Sequence, residues 1–171
     1  QLTLCAAVAA TTLVLAACGQ SETRDESGEI TSGGDTDVFT LQVGDCLGAV
    51  ETGEVNDVPT VPCSEPHQLE VFGEYTFADG DYPGDESIST TAEQECVALF
   101  DAFVGLAYEE SVLGVTYYTP TQESWETGDD RLVSRLVGDP DEDVPGDLEG
   151  AAYCPDPARG DARAPGTTAV V

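Results

Sequence analysis

The chain is 171 residues long, enough for one domain of ordinary size. Its five basic residues are all Arg and face 34 acidic ones, a formal net charge of −29 at pH 7. Such a surface repels phosphates, which excludes nucleic acid, or an anionic lipid surface gripped by charge, as a partner.

Residues 1–17 carry no charge, and Leu13 to Ala17 are continuously apolar. A membrane-spanning helix needs about 20 apolar residues, so this stretch reads as the apolar region of a secretory signal peptide. The chain begins at Gln1 rather than Met, which implies that a basic amino-terminal region precedes it. The stretch ends Leu15-Ala16-Ala17-Cys18 and is similar to the bacterial lipobox, in which the Cys receives a diacylglyceryl group before cleavage. The expectation is a lipoprotein that starts at Cys18 with palmitate-type chains and sits on the outer face of the cytoplasmic membrane. Two chains make such an attachment stable, where one does not. The competing reading, a core helix with a buried Cys, needs an apolar partner, and none follows for about twenty residues.

Residues 18–37 are polar, acidic and rich in Gly, Ser and Thr, the composition of a flexible tether. Residues 155–171 mix Pro, Gly, Ala and Arg without period and read as a disordered tail. Arg159-Gly160-Asp161 in that tail matches an adhesion tripeptide, but three common residues carry no structural argument. Residues 38–154 form the expected globular part. Strands are predicted at Val38–Val43, at Leu69–Phe77 with one mostly polar face, at Val112–Thr119 and at Leu132–Val137. One helix is predicted from a capping box at Thr91 and Gln94, with Cys96, Leu99, Phe100, Phe103 and Val104 on one face and Gly105 as the stop. The fold class is therefore α+β: a small antiparallel sheet with one packed helix, stapled by disulfides and flanked by tether and tail.

Cys5 leaves with the signal peptide and Cys18 is lipidated, so Cys46, Cys63, Cys96 and Cys154 remain for an oxidising compartment. Of three connectivities, Cys46–Cys63 with Cys96–Cys154 is favoured, because the first pair closes a short local loop. A zinc site is not expected, since the spacing contains no CxxC pair.

The order Val43-Gly44-Asp45-Cys46, Val61-Pro62-Cys63-Ser64-Glu65-Pro66-His67, Glu70-Val71, Tyr82-Pro83-Gly84, Glu95-Cys96, Pro120 and Trp125, then Gly128-Asp129-Asp130-Arg131, resembles the septum formation-related domain of high-GC Gram-positive bacteria. The resemblance spans about Leu41 to Gly150. It implies a lipoprotein or membrane-anchored extracytoplasmic module connected with septum formation, and it implies no reaction. Two departures stand out. An extra Asp interrupts the family's Gly-Asp-Arg step, and Ser134 lies where the family has a Cys, which leaves Cys154 as the substitute partner of Cys96.

Three constellations invite a functional reading. His67 is the single imidazole, so any Cys or Ser nucleophile must use it as base. The plain alternative is a disulfide Cys63 followed by the turn Ser64-Glu65-Pro66. Trp125 and Arg131 could present an indole and a guanidinium to a carboxylate or phosphate, or simply flank a turn with Arg131 neutralising its acidic neighbours. Asp139, Asp141 and Asp143 are a weak calcium candidate, but an EF-hand loop starting at Asp139 would need Gly and Glu where Val144 and Gly150 stand. The expected function is a non-enzymatic, lipid-anchored interaction module of the cell envelope. It would need no cofactor and would contact division proteins, other envelope proteins or cell-wall material near His67, Trp125 and Arg131. The alternatives are an envelope hydrolase using His67 with acidic residues, and a calcium-binding extracellular module.

Overall fold

The computed structural model describes residues 21–50, 53–94, 96–127, 132–139, 143–144, 146–150 and 167–170. Two short strands, β1 (Thr23–Arg24) and β2 (Ile30–Ser32), form an amino-terminal hairpin. Seven more strands form one sheet: β3 (Gly34–Asp37), β4 (Cys46–Leu47), β5 (Asp57–Val61), β6 (Leu69–Thr76), β7 (Gly114–Tyr118), β8 (Leu132–Gly138) and β9 (Thr167–Val170). Their spatial order is β3-β5-β4-β6-β8-β7-β9. Every described neighbour pair in that sheet is antiparallel except β7 with β9, which run parallel. Three helices accompany it: α1 (Asp85–Glu93), α2 (Cys96–Val104) and α3 (Gln122–Thr127).

The α+β class holds, with a larger sheet and more helices than the sequence suggested. The expected single helix is two. Thr91 does not start a helix; it lies in the last turn of α1, where its hydroxyl donates back to the Ser87 carbonyl at 2.9 Å. Gln94 adopts extended backbone (ψ 138°) and ends α1 before α2 begins. The expected strand over Val38–Val43 is a single 3-10 turn, Val38–Thr40, because the Asp37 side chain accepts from the Phe39 amide at 2.8 Å and starts a helical turn.

Part of the segment expected to be tether is folded. Arg24 forks onto the Asp45 carboxylate at 2.6 and 2.8 Å, and a third donation reaches the Gly28 carbonyl at 3.0 Å. Ile30 is buried, and Thr36 shares a 2.7 Å hydroxyl bond with Thr60 across β3 and β5. Composition concealed this, since one buried Ile and one bidentate ion pair scarcely alter an acidic, Gly-rich average. The expected disordered tail likewise contains β9, which covers the outer edge of β7.

Both faces of the sheet are covered in its middle. On β8, Val137 packs in one core cluster with Phe72, Phe100 and Val104, while neighbouring Leu136 packs in another with Leu41, Leu47, Val58 and Val71. A strand covered on both sides shows no apolar/polar alternation, and in Leu132–Val137 even the adjacent polar pair Ser134 and Arg135 is buried. The same coverage buries Glu70 and Phe72 at the start of β6, so the face expected to be polar is polar only beyond Gly73. Gly138 joins β6 and β7 to β8 at close range; a Cβ there would lie 1.9 Å from the Gln68 carbonyl oxygen.

The Arg24 fork predicts a measurable contribution from the amino-terminal hairpin. Asp45 is almost fully buried and, among the described residues, otherwise accepts from the Gln42 amide alone, at 2.8 Å. Arg24→Ala leaves that carboxylate short of its countercharge, and urea denaturation should show a loss of about 2–3 kcal/mol. A loss below about 0.5 kcal/mol would mean that the hairpin does not bear on the sheet.

Candidate functional site

The chemistry-bearing side chains converge where β4 meets β6. Gly44, at φ +92°, turns the chain into β4, a conformation that favours glycine. Cys46 then pairs with Glu70 across β4 and β6, and with Val61 across β4 and β5. Residues directly opposite in an antiparallel pair project to the same face, so Cys46 and Glu70 are brought together by register. Just past β5 a turn closed by the Glu65 amide on the Pro62 carbonyl (2.8 Å) carries Cys63 back to Cys46, and the two form the expected disulfide.

His67 enters the same space from the end of that turn. Its backbone bridges Val144 in both directions, at 3.2 and 2.7 Å, and its ring is fully buried. Nδ1 lies 3.0 Å from the Glu65 carbonyl oxygen, which only accepts, so Nδ1 carries a proton and the lone pair of the neutral imidazole is the one on Nε2. Among the described residues Nε2 has no hydrogen-bond partner. Cys46, His67 and Glu70 offer sulfur, nitrogen and oxygen atoms that all lie within 4.8 Å of one another, and all three residues are buried.

Glu70 is the electrostatic centre of the cluster. Burial pushes its carboxyl up to about 8; donation from the Leu148 amide at 2.7 Å opposes the rise, and the carboxylates of Asp147 and Glu149 reinforce it. At neutral pH the group is therefore predominantly a neutral acid, with Asp147 as its carboxyl partner. The sequence marked Glu70 only by its place in an alternating strand and by the Glu70-Val71 step of the family resemblance, neither of which assigned it a role. Its environment is made by register with Cys46 and by a distant loop at Leu148.

Trp125 lies apart from this cluster, in a separate core. Trp125 is an interior residue rather than an exposed platform. Its indole donates to the Gly80 carbonyl at 3.0 Å and packs edge-to-face on Phe77 and Tyr82, with ring centres 5.6 Å away in each case. It belongs to the core beneath α1, with Ile88, Ala92, Tyr117 and Val133. The aromatic chain reaches the surface through Phe77 to Tyr75, which is 42% exposed. Arg131, Asp141, Cys154 and the lipidation candidate Cys18 lie outside the described residues, as does the side chain of Cys96. Of the calcium candidate, Asp139 and Asp143 are described and Asp141 is among the residues outside that set. An open polar groove of about 330 Å³ lies elsewhere, lined by Asp37, Glu54 and Glu123 beside Phe39 and Thr127. No described helix is long and apolar enough to cross a membrane.

A family model described as Septum formation matches residues 12–133, well over half of the chain. No curated protein and no solved structure matches it.

Proposed function

Because the chain belongs to the septum-formation family, we propose that it is an extracytoplasmic module of the cell envelope, anchored by lipid at Cys18, that acts at the division septum by contact rather than by catalysis. The family match is the observation that carries this reading. The lipobox-like Leu15-Ala16-Ala17-Cys18 supports the anchor, and two acyl chains would replace the basic patch that the surface lacks. The disulfide fits an oxidising compartment outside the cytoplasm. The enclosure of His67 supports contact over catalysis, since a general base must reach the proton it removes from a substrate. With Trp125 and His67 inside, the contact face is better sought at exposed Tyr75 and neighbouring Phe77 and Tyr82. Those rings give partners an apolar hold within an acidic surface.

A fluorescently tagged full-length chain in dividing cells of its host tests the reading. Enrichment at the septum is expected, with Cys18→Ser abolishing membrane retention. An even distribution around the membrane would overturn the septal role while leaving the anchor standing.

A further inference from the structure

The disulfide, His67 and Glu70 fit a second chemistry. A His that ligates a metal through Nε2 commonly donates Nδ1–H to a backbone carbonyl, which fixes the tautomer and aims the free lone pair at the ion. His67 has that arrangement, with Nδ1 on the Glu65 carbonyl and a buried Nε2 that has no partner among the described residues. Leaving a buried acceptor unpaired is costly, so a cation at Nε2 would be stabilising there. The atoms nearest in kind are a sulfur of Cys46 and a carboxyl oxygen of Glu70, within 4.8 Å. Cys63, bonded to Cys46, brings a second sulfur to the same place.

We propose that the reduced Cys46–Cys63 pair forms, with His67 and Glu70, a four-donor site for a zinc-class divalent cation, so that disulfide and metal are alternative states of one pocket. Two thiolates, one imidazole and one carboxylate are ligand types that zinc takes tetrahedrally, with donors roughly 3–4 Å apart. The Cys46–Cys63 bond holds its sulfurs far closer than that, so the oxidised form cannot present the set. Cleavage takes two electrons and two protons from a dithiol donor, which is itself oxidised to a disulfide, and yields two thiols. Metal binding then expels both thiol protons, and the carboxyl proton of Glu70 where it is present, so the ion meets thiolates and a carboxylate. Cys63 is only partly buried and gives the reductant and the ion an approach.

The probe is Co²⁺, whose bond to thiolate gives a charge-transfer absorption, titrated into the full-length chain oxidised and after reduction by a phosphine that does not chelate. One equivalent should bind with thiolate absorption after reduction, and none to this pair before it. His67→Ala should weaken binding by more than about 100-fold, beyond what outer-shell changes cost. Cys96→Ser should leave it unchanged. Should His67→Ala fail to fold, Glu70→Gln carries the test, with a loss of about tenfold or more. The proposal is overturned if the reduced chain shows no new thiolate–cobalt absorption, or if binding survives in these variants with unchanged affinity, which would place cobalt on cysteines alone. A reduced chain that unfolds and does not refold with cobalt overturns it equally.

Discussion

Arg135→Ala is expected to lower stability by about 3–4 kcal/mol and the melting temperature by roughly 10 °C. The reason lies at the carboxyl-terminal end of α1. The last four carbonyls of a helix lack intrahelical partners. Here the Gln94 amide takes the Thr90 carbonyl at 3.0 Å. The buried Arg135 guanidinium reaches across from β8 and donates to the Ala92 and Thr91 carbonyls, at 3.0 Å each. A charge-assisted bond contributes about 1.5–3 kcal/mol, and a cation at the negative end of the helix dipole adds about 0.5–1 kcal/mol. Arg135→Met keeps the stem and removes the donors, so it should lose nearly as much as Ala. Arg135→Lys should fall between, because a single ammonium lacks the planar fork that meets two carbonyls at once. Guanidinium denaturation of the three variants decides it. A Met variant within about 1 kcal/mol of the parent would show that packing, rather than the two carbonyl bonds, holds this position.

The second large effect depends on pH. Glu70 in the folded chain holds its proton up to about pH 8, whereas in the unfolded chain it ionises near its ordinary value of 4.5. Between those values the folded state binds more protons than the unfolded one, so this group makes stability fall as pH rises. Its contribution is fully present below about pH 4.5 and is lost through pH 8, by about 2–4 kcal/mol. Glu70→Gln keeps the shape, the acceptor for the Leu148 amide and a donor in place of the acid proton, but it cannot ionise. The variant should match the parent near pH 4.5 and exceed it by a few kcal/mol at pH 8. Repulsion among the many other carboxylates has the same sign but is common to both proteins, so the difference between their stability curves isolates Glu70. Parallel curves across that range would show that Glu70 ionises in the fold as it does in water.

These two residues mark the boundary of what the sequence alone conveys. Patterns carried by a few adjacent residues were readable. The alternation after Leu69 and the β-branched stretch around Val115 led to the α+β class, and the order of short motifs led to the family. The Cys46–Cys63 pairing was readable too, because a short loop makes that closure entropically cheapest. Features that depend on distant segments were not. The chain breaks at Gln94 although the apolar face continues, and the end of α1 that this break exposes is completed by Arg135, more than forty residues away. Arg24 and Ile30 look like tether until Asp45 and strand β5 are set beside them. Trp125 resembles a ligand platform until Gly80, Phe77 and Tyr82 enclose it. His67 stands out in the sequence as the single imidazole, but nothing there joins it to Glu70. Only strand register and a loop from the far end of the domain bury them against a disulfide, and burial changes what an imidazole or a carboxyl can do. Local propensity and hydrophobic period specify which elements form. Which polar groups lose their water is a property of the assembled sheet, and in this protein that loss creates the site.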